Sequence, residues 1–320
     1  MKSTKTVLLA GAAGFLGSHL VKKFLNHNFR LICLDNLSSG KLENLEEFSS
    51  DLNFKFIEHD ITEPFIYEKP IDFVLNFACP ASPIQYQINP VKTIETSFIG
   101  MSNLLKLAKD KQIPILQAST SEVYGDPTIS PQKETYWGNV NPIGIRSCYD
   151  EGKRAAETLC FDYMRQFGLD VRVIRIFNTY GPNMAINDGR VVSNFIVQAL
   201  RNVDITVYGN GNQTRSFCYV SDLVDGIYKI MLAPDTLSYP INLGNPHELT
   251  VKSLAEKIIL LTNSSSSINY VELPSDDPQK RKPDINKANT LIDWSPQIDI
   301  DTGLLKTIEY FKNVLGGESG

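Results

Sequence analysis

Apolar residues near the start of the chain fall into short runs, each followed by a stretch with helical spacing. Thr6-Val-Leu-Leu-Ala10 is such a run; it suits a buried parallel strand and is far too short to span a membrane. Gly11-Ala-Ala-Gly14-Phe-Leu-Gly17 follows, then Ser18-His-Leu-Val-Lys-Lys-Phe-Leu, whose apolar positions recur as on one face of a helix. Further strands are predicted over 30–35, 54–60, 72–78, 114–120 and 170–178, with helices over about 93–109 and 149–166 between them. Such alternation implies an α/β fold, a doubly wound parallel sheet covered on both faces. Ligands then bind at the carboxyl ends of the strands, where the glycines, Thr120 and Asn178 fall.

Past residue 178 the pattern loosens. Short segments at 205–209, 221–232 and 268–273 are interrupted by Gly, Pro and Asn turns. A larger domain over 1–180, rejoined by later segments, and a smaller mixed α/β domain over 181–320 are expected. A helix over 301–315 places Leu304, Leu305, Ile308, Phe311 and Leu315 on one side for packing.

Composition narrows the function classes. The 320 residues carry a net charge of −5, which gives no electrostatic case for nucleic acid or an anionic membrane. The five cysteines are scattered and show no metal-ligand spacing with the four histidines. They read as thiols of a reducing compartment, and no metal is expected. Lys2 and Lys5 lead into a glycine turn and not a cleavage site, so a cytoplasmic location is expected.

Strand, glycine turn and helix form the context a dinucleotide pyrophosphate requires. The spacing here is G-x-x-G-x-x-G, and a glycine triplet alone is often only a turn. Asp35 closes the second predicted strand, where an acid accepts from a ribose 2′-hydroxyl and repels a 2′-phosphate; this favours NAD over NADP. Asp60 closes the third, placed for the adenine edge. Tyr149 and Lys153 are four apart, so a helix projects both from one face. An ammonium beside a phenol favours the phenolate, a base suited to a sugar hydroxyl. Arg190, Arg215 and Arg281 lie in loop-like segments. Each alone is more often a solvated charge, but arginine forks suit a diphosphate or carboxylate.

Together these motifs, with Asp60-Ile61 and Arg175-Ile-Phe-Asn178-Thr-Tyr-Gly-Pro182, resemble the extended short-chain dehydrogenase/reductase family that acts on nucleotide sugars. The resemblance covers nearly the whole chain and implies a Rossmann-like fold, bound NAD and a homodimer. Longer strings resemble the branch that decarboxylates UDP-glucuronate to UDP-xylose through a 4-keto sugar. They include Ala78-Cys-Pro-Ala-Ser-Pro83, Ser119-Thr-Ser-Glu-Val-Tyr-Gly-Asp-Pro127 and Asp276-Asp-Pro-Gln-Lys-Arg-Lys-Pro-Asp284. Dehydratases of the family usually carry Asp where this chain has Ser121, and serine is a poor acid for a leaving hydroxyl. Many decarboxylases carry lysine where this chain has Glu95, a repulsion that Lys92 could offset.

By that resemblance Thr120, Glu122, Tyr149, Lys153 and Arg281 are catalytic. NAD contacts fall to Gly11, Gly14, Phe15, Leu16, Gly17, Asp35, Asn36, Asp60, Ile61, Ala78, Thr179 and Arg190, with Tyr149 and Lys153. Ser121, Asn178, Arg215 and Arg281 meet the UDP-sugar. A dehydratase or C4-epimerase would share every NAD contact, and a non-catalytic sugar-nucleotide sensor is an alternative of another class.

Overall fold

The side chains of the first strand alternate between two separate cores. In the computed structural model, which describes residues 4–234, 237, 239–272 and 280–317, Val7 and Leu9 pack on one face and Leu8 and Ala10 on the other. Period-two alternation with no exposed face is why the strand is uniformly apolar.

This strand, β1 (Thr6–Ala10), is joined by β2 (Arg30–Asp35), β3 (Phe54–Glu58), β4 (Phe73–Asn76), β5 (Ile115–Thr120) and β6 (Val171–Ile176). The smaller strands are β7 (Thr179–Tyr180), β8 (Ile205–Tyr208), β9 (Thr214–Ser216), β10 (Cys218–Tyr219), β11 (Ile241–Leu243), β12 (Glu248–Thr250), β13 (Ile268–Val271) and β14 (Lys280–Arg281). The main sheet is parallel, in the order β11-β6-β5-β4-β1-β2-β3. Strand order reverses beside β1, which opens a crevice at the carboxyl ends. Strand β11 returns to this sheet from the second half of the chain, pairing Ile241 with Ile174.

Helix α1 (Phe15–Asn26) follows β1, α2 (Pro83–Ile88) follows β4, and α3 (Pro90–Glu95) runs through a π turn (Thr96–Gly100) into α4 (Met101–Lys111). The helix expected over 93–109 thus starts earlier, because Asn89 caps it through Lys92 N and Pro90 opens it. The third strand stops at Glu58, short of Asp60. Asp60 turns the chain instead, accepting from Thr62 N and Thr62 Oγ1 at 2.9 and 2.7 Å. Helix α5 (Ser147–Phe167) buries Tyr149, Gly152, Lys153, Ala156 and Cys160, and Gly168 ends it in the left-handed region (φ 66°).

The terminal helix Ile300–Gly317 packs through Leu304, Ile308 and Phe311. Leu305, expected beside them, is exposed, since it lies about 100° around the helix from Leu304. Among the described residues no helix is long and apolar enough to cross a membrane.

Candidate functional site

Backbone contact explains the glycines. Gly11 has φ +80°, and a Cβ there would lie 2.5 Å from the Phe77 carbonyl carbon. A Cβ on Gly17 would lie 2.0 Å from the Gly11 oxygen, so the turn and α1 close only without side chains. Gly14 borders open space, its Cβ reaching only Gly11 O at 3.4 Å. The first helical bond runs from Ser18 N to Gly14 O at 3.0 Å, so the amides of Phe15, Leu16 and Gly17 precede the ladder. Those are the donors a helix leaves for an anion.

A groove opens there, lined by Gly11, Gly14, Asp35, Asn36, Asp60, Ile61 and Ala78 among others. Asp35 is buried, and burial pushes its carboxyl up while the amides of Ala13 and Leu37, each at 2.9 Å, oppose the rise. Asp60 accepts from Asn36 Nδ2 at 3.0 Å and pairs with Lys92 at 2.9 Å. Lys92 Nζ thus meets both Asp60 and the Thr62 hydroxyl at the rim of the groove. The groove suits an adenosine diphosphate: an acid at one end, glycine backbone and free amides at the other.

A second cluster lies at the ends of β5 and α5. Thr120 Oγ1 accepts from Glu122 N at 3.2 Å and thereby caps the 3-10 turn Ser121–Tyr124, with Ser121 buried inside it. Tyr149 is buried and stacks on Tyr86, centroids 5.1 Å apart and planes 6° off parallel. Lys153 Nζ donates to the Ala118 carbonyl at 2.9 Å and sits 5.7 Å from the Tyr149 ring centre. Its expected lowering of the phenol is not what dominates. Burial, with Cys79 next, pushes the Tyr149 phenol well up, against a hydrogen bond from the Thr120 hydroxyl. Arg190, paired with Asp188 at 2.5 Å and 5.8 Å from the Phe15 ring centre, is within electrostatic reach of Tyr149 and links the two clusters.

Arg215 and Arg281 are not loop residues. They face each other in register on β9 and β14, and both are buried. Residues 276–279 of the string that contains Arg281 lie outside the described residues. Gln132 carries β14 to the site: its amide donates to Lys282 O at 2.8 Å, and its Oε1 accepts from Lys282 N at 2.7 Å. Arg281 then forks onto both oxygens of Glu122, and Arg146 reaches Glu122 Oε2 at 2.5 Å. Burial raises the Glu122 carboxyl, but Arg281 and Arg146 outweigh it and hold the group below the usual range. Asn178 and Thr179 follow the end of β6, with Thr179 Oγ1 donating to Phe177 O at 2.9 Å and the Asn178 carbonyl accepting from Cys218 N at 2.9 Å.

Three members were not legible as site residues: Arg146, Tyr86 and Asp150. Arg146 precedes Tyr149 by three positions at the start of the same helix, which was the available signal. Tyr86 lies on α2, whose start Ser82 caps by accepting from Gln85 N at 3.4 Å. Its hydroxyl and Asp150 Oδ1 are buried and bond no described residue; each such omission costs about 1–3 kcal/mol. Burial first, then Glu122, push the Asp150 carboxyl up to about 7.

The description of the NAD dependent epimerase/dehydratase family matches residues 7–244. The chain is 54% identical to UDP-glucuronic acid decarboxylase 5 of Arabidopsis thaliana, over 98% of this chain and 92% of that one. It is 50% identical to UDP-glucuronic acid decarboxylase 1 of Xenopus tropicalis, over 98% and 74%. A dTDP-glucose 4,6-dehydratase of Bacillus anthracis, solved in complex with NAD, shares the fold with a TM-score of 0.86 at 25% identity, over 97% of each chain.

Proposed function

Because this chain belongs to the NAD dependent epimerase/dehydratase family, we infer that it decarboxylates UDP-glucuronate, releasing CO₂ and leaving UDP-xylose. The observation that carries the reading is a pair of guanidiniums gathered on one acid. Two guanidiniums, Arg146 and Arg281, converge on the single carboxylate of Glu122 beside Thr120, a setting that favours an incoming C6 carboxylate.

NAD⁺ held in the groove would supply a hydride acceptor for C4 and give the hydride back at the end of the cycle. Gly11, Gly14, Gly17 and the amides of Phe15 and Leu16 would hold its diphosphate. Asp35 and Asn36 would take the adenosine ribose, and Asp60, Ile61 and Ala78 the base and its surroundings. Thr179 and Arg190 close the far side. Tyr149 takes the proton of the C4 hydroxyl, Thr120 orients that hydroxyl, and Lys153 stabilises the phenolate that accepts it. Oxidation at C4 places a ketone β to the carboxylate. The C5–C6 bond then breaks, its electron pair passes to the ketone oxygen as an enolate, and a proton adds at C5. Arg281 and Arg146 fix the carboxylate, Glu122 and Ser121 shape the end of the pocket, and Asn178 and Arg215 serve the uridine diphosphate. Position and fixed dipoles supply most of the rate.

Residues 1–180 with the returning strand β11 form the NAD domain in this reading, and the rest of 181–320 the sugar-nucleotide domain. Exposed Ile88, Val91, Phe98 and Ile99 support a homodimer through this side. Five free thiols support a cytoplasmic setting. The test is incubation with UDP-glucuronate and NAD⁺ and identification of the product by mass. A product lighter by one CO₂ is expected. A C4 epimer of unchanged mass, or a 4-keto-6-deoxy sugar from UDP-glucose with no CO₂ from UDP-glucuronate, overturns it.

A further inference from the structure

Asp150 has no task in the reaction as described, yet its surroundings are those of a working group. It is buried on α5 next to Tyr149, and Oδ1 bonds no described residue. Around it stand Glu122 at the end of β5, Arg146 and Glu151 on its own helix, Arg281 from β14 and Tyr86 from α2. The Tyr86 hydroxyl is likewise buried without a partner among the described residues.

Charge balance gives the pair a meaning. Glu122 faces two guanidiniums. With Asp150 ionised the four groups are neutral, and an added carboxylate leaves one uncompensated negative charge in a buried site. With Asp150 protonated they carry one positive charge, which the carboxylate neutralises. Like charges at short range in low dielectric repel strongly, so the second arrangement prevails. We propose that Asp150 takes up one proton when the glucuronate carboxylate enters the Glu122–Arg146–Arg281 cluster, making capture of the acidic sugar proton-linked.

The proton comes from solvent, adds to a carboxylate oxygen of Asp150 and returns when CO₂ leaves. The carboxyl already stands at about 7 before any ligand arrives, so it is poised for this exchange. The sign follows. Below that value Asp150 is already neutral and affinity is independent of pH. Above it each binding event must fix a proton, and affinity falls by up to ~10-fold per pH unit. Asp150 is thus a positioning residue acting on charge, and the proposal rests on the decarboxylase reading above.

The test is calorimetric titration at pH 8 with holoenzyme carrying Tyr149→Phe, in two buffers of different ionisation enthalpy. UDP-glucuronate should take up close to one proton, and UDP-glucose, which lacks the carboxylate, almost none. Asp150→Asn in the same background should abolish the uptake and flatten the affinity between pH 7 and 9. Uptake below about a fifth of a proton with UDP-glucuronate, equal uptake with both sugars, or full uptake in Asp150→Asn overturns the proposal. If Asp150→Asn does not fold, the comparison of the two sugars decides alone. CO₂ release from UDP-glucuronate by the unsubstituted enzyme is measured beside it. Release without proton uptake sinks only the Asp150 proposal, while no release sinks the decarboxylase reading.

Discussion

Removing Glu157 should cost more than removing Glu157 and Arg175 together. Arg175 Nη2 and Nε donate to Glu157 at 2.7 and 3.0 Å, Ser119 Oγ donates to it at 2.5 Å, and the two charged side chains are 12% and 9% exposed. The pair ties α5, which carries Tyr149 and Lys153, to β5 and β6. Glu157→Leu leaves a buried guanidinium whose remaining acceptors are the neutral Tyr124 hydroxyl and Glu134 carbonyl, at 3.0 and 3.2 Å. Stranding one partner of such a pair costs ~3–5 kcal/mol. In Glu157→Leu/Arg175→Met the stranded charge is gone, and Tyr124 keeps its bond to Asn242 Oδ1 at 2.7 Å. Ser119, the Glu134 carbonyl and the acceptor side of the Tyr124 hydroxyl lose neutral partners, so the double variant should lose about 1–2 kcal/mol. Urea unfolding of the single and double variants, with slopes checked for equality, completes the cycle. A Glu157→Leu loss under ~1 kcal/mol, or a double variant as unstable as the sum of the singles, would refute the argument.

Three further outcomes are expected. Tyr149→Phe removes the proton acceptor and keeps the ring stacked on Tyr86, so turnover should fall by ~10²-fold or more while UDP affinity measured by calorimetry persists; normal turnover would place the base elsewhere. Heat-denatured protein should release NAD⁺ or NADH, and recovery of mainly NADP would count against Asp35 as the ribose ligand. Gly17→Ala forces a Cβ within 2.0 Å of Gly11 O and should empty the cofactor groove or unfold the turn, read as lost co-purifying NAD and a lower Tm. A variant with full NAD content and unchanged Tm would contradict that crowding.

Strand, glycine turn and helix were legible because each leaves a local trace. Parallel strands are apolar on both faces, and Gly11 and Gly17 occupy places no side chain fits. The ends of β5 and β6 followed from the same alternation, which brought Thr120 and Asn178 to the crevice. Strand β11 was invisible as a member of the main sheet, since three residues show no periodicity and its partner β6 lies far back in sequence. Arg215 and Arg281 looked like loop residues because β9 and β14 are only three and two residues long. The spacing of Tyr149 and Lys153 carries no sign of burial, which the fold makes the largest influence on the Tyr149 phenol, with Lys153 Nζ donating to Ala118 O at 2.9 Å. Asp150 and Tyr86 carry ordinary side chains at ordinary spacings, and only the fold shows that their polar atoms are buried without a partner among the described residues.

The π turn at Thr96–Gly100 acts as a ratchet of one residue in an otherwise continuous helical rod. A Cβ on Gly100 would lie 2.5 Å from Ile61 Cδ1, and a Cβ on Gly152 of α5 would come within 3.2 Å of Ser97 Oγ, so the turn is wedged between two neighbours. One residue of helix is about 100° of rotation. Deleting any position from 96 to 100 would restore a regular rod, but Met101, Leu104 and Leu105 are anchored in the core and cannot turn. The upstream half would rotate instead, swinging Lys92 away from Asp60 and Thr96 out of the groove wall. Chain length is therefore quantised here. Conservative exchanges within the segment can be absorbed, whereas a single-codon deletion would misalign the groove wall while leaving Thr120, Tyr149 and Lys153 in the gene.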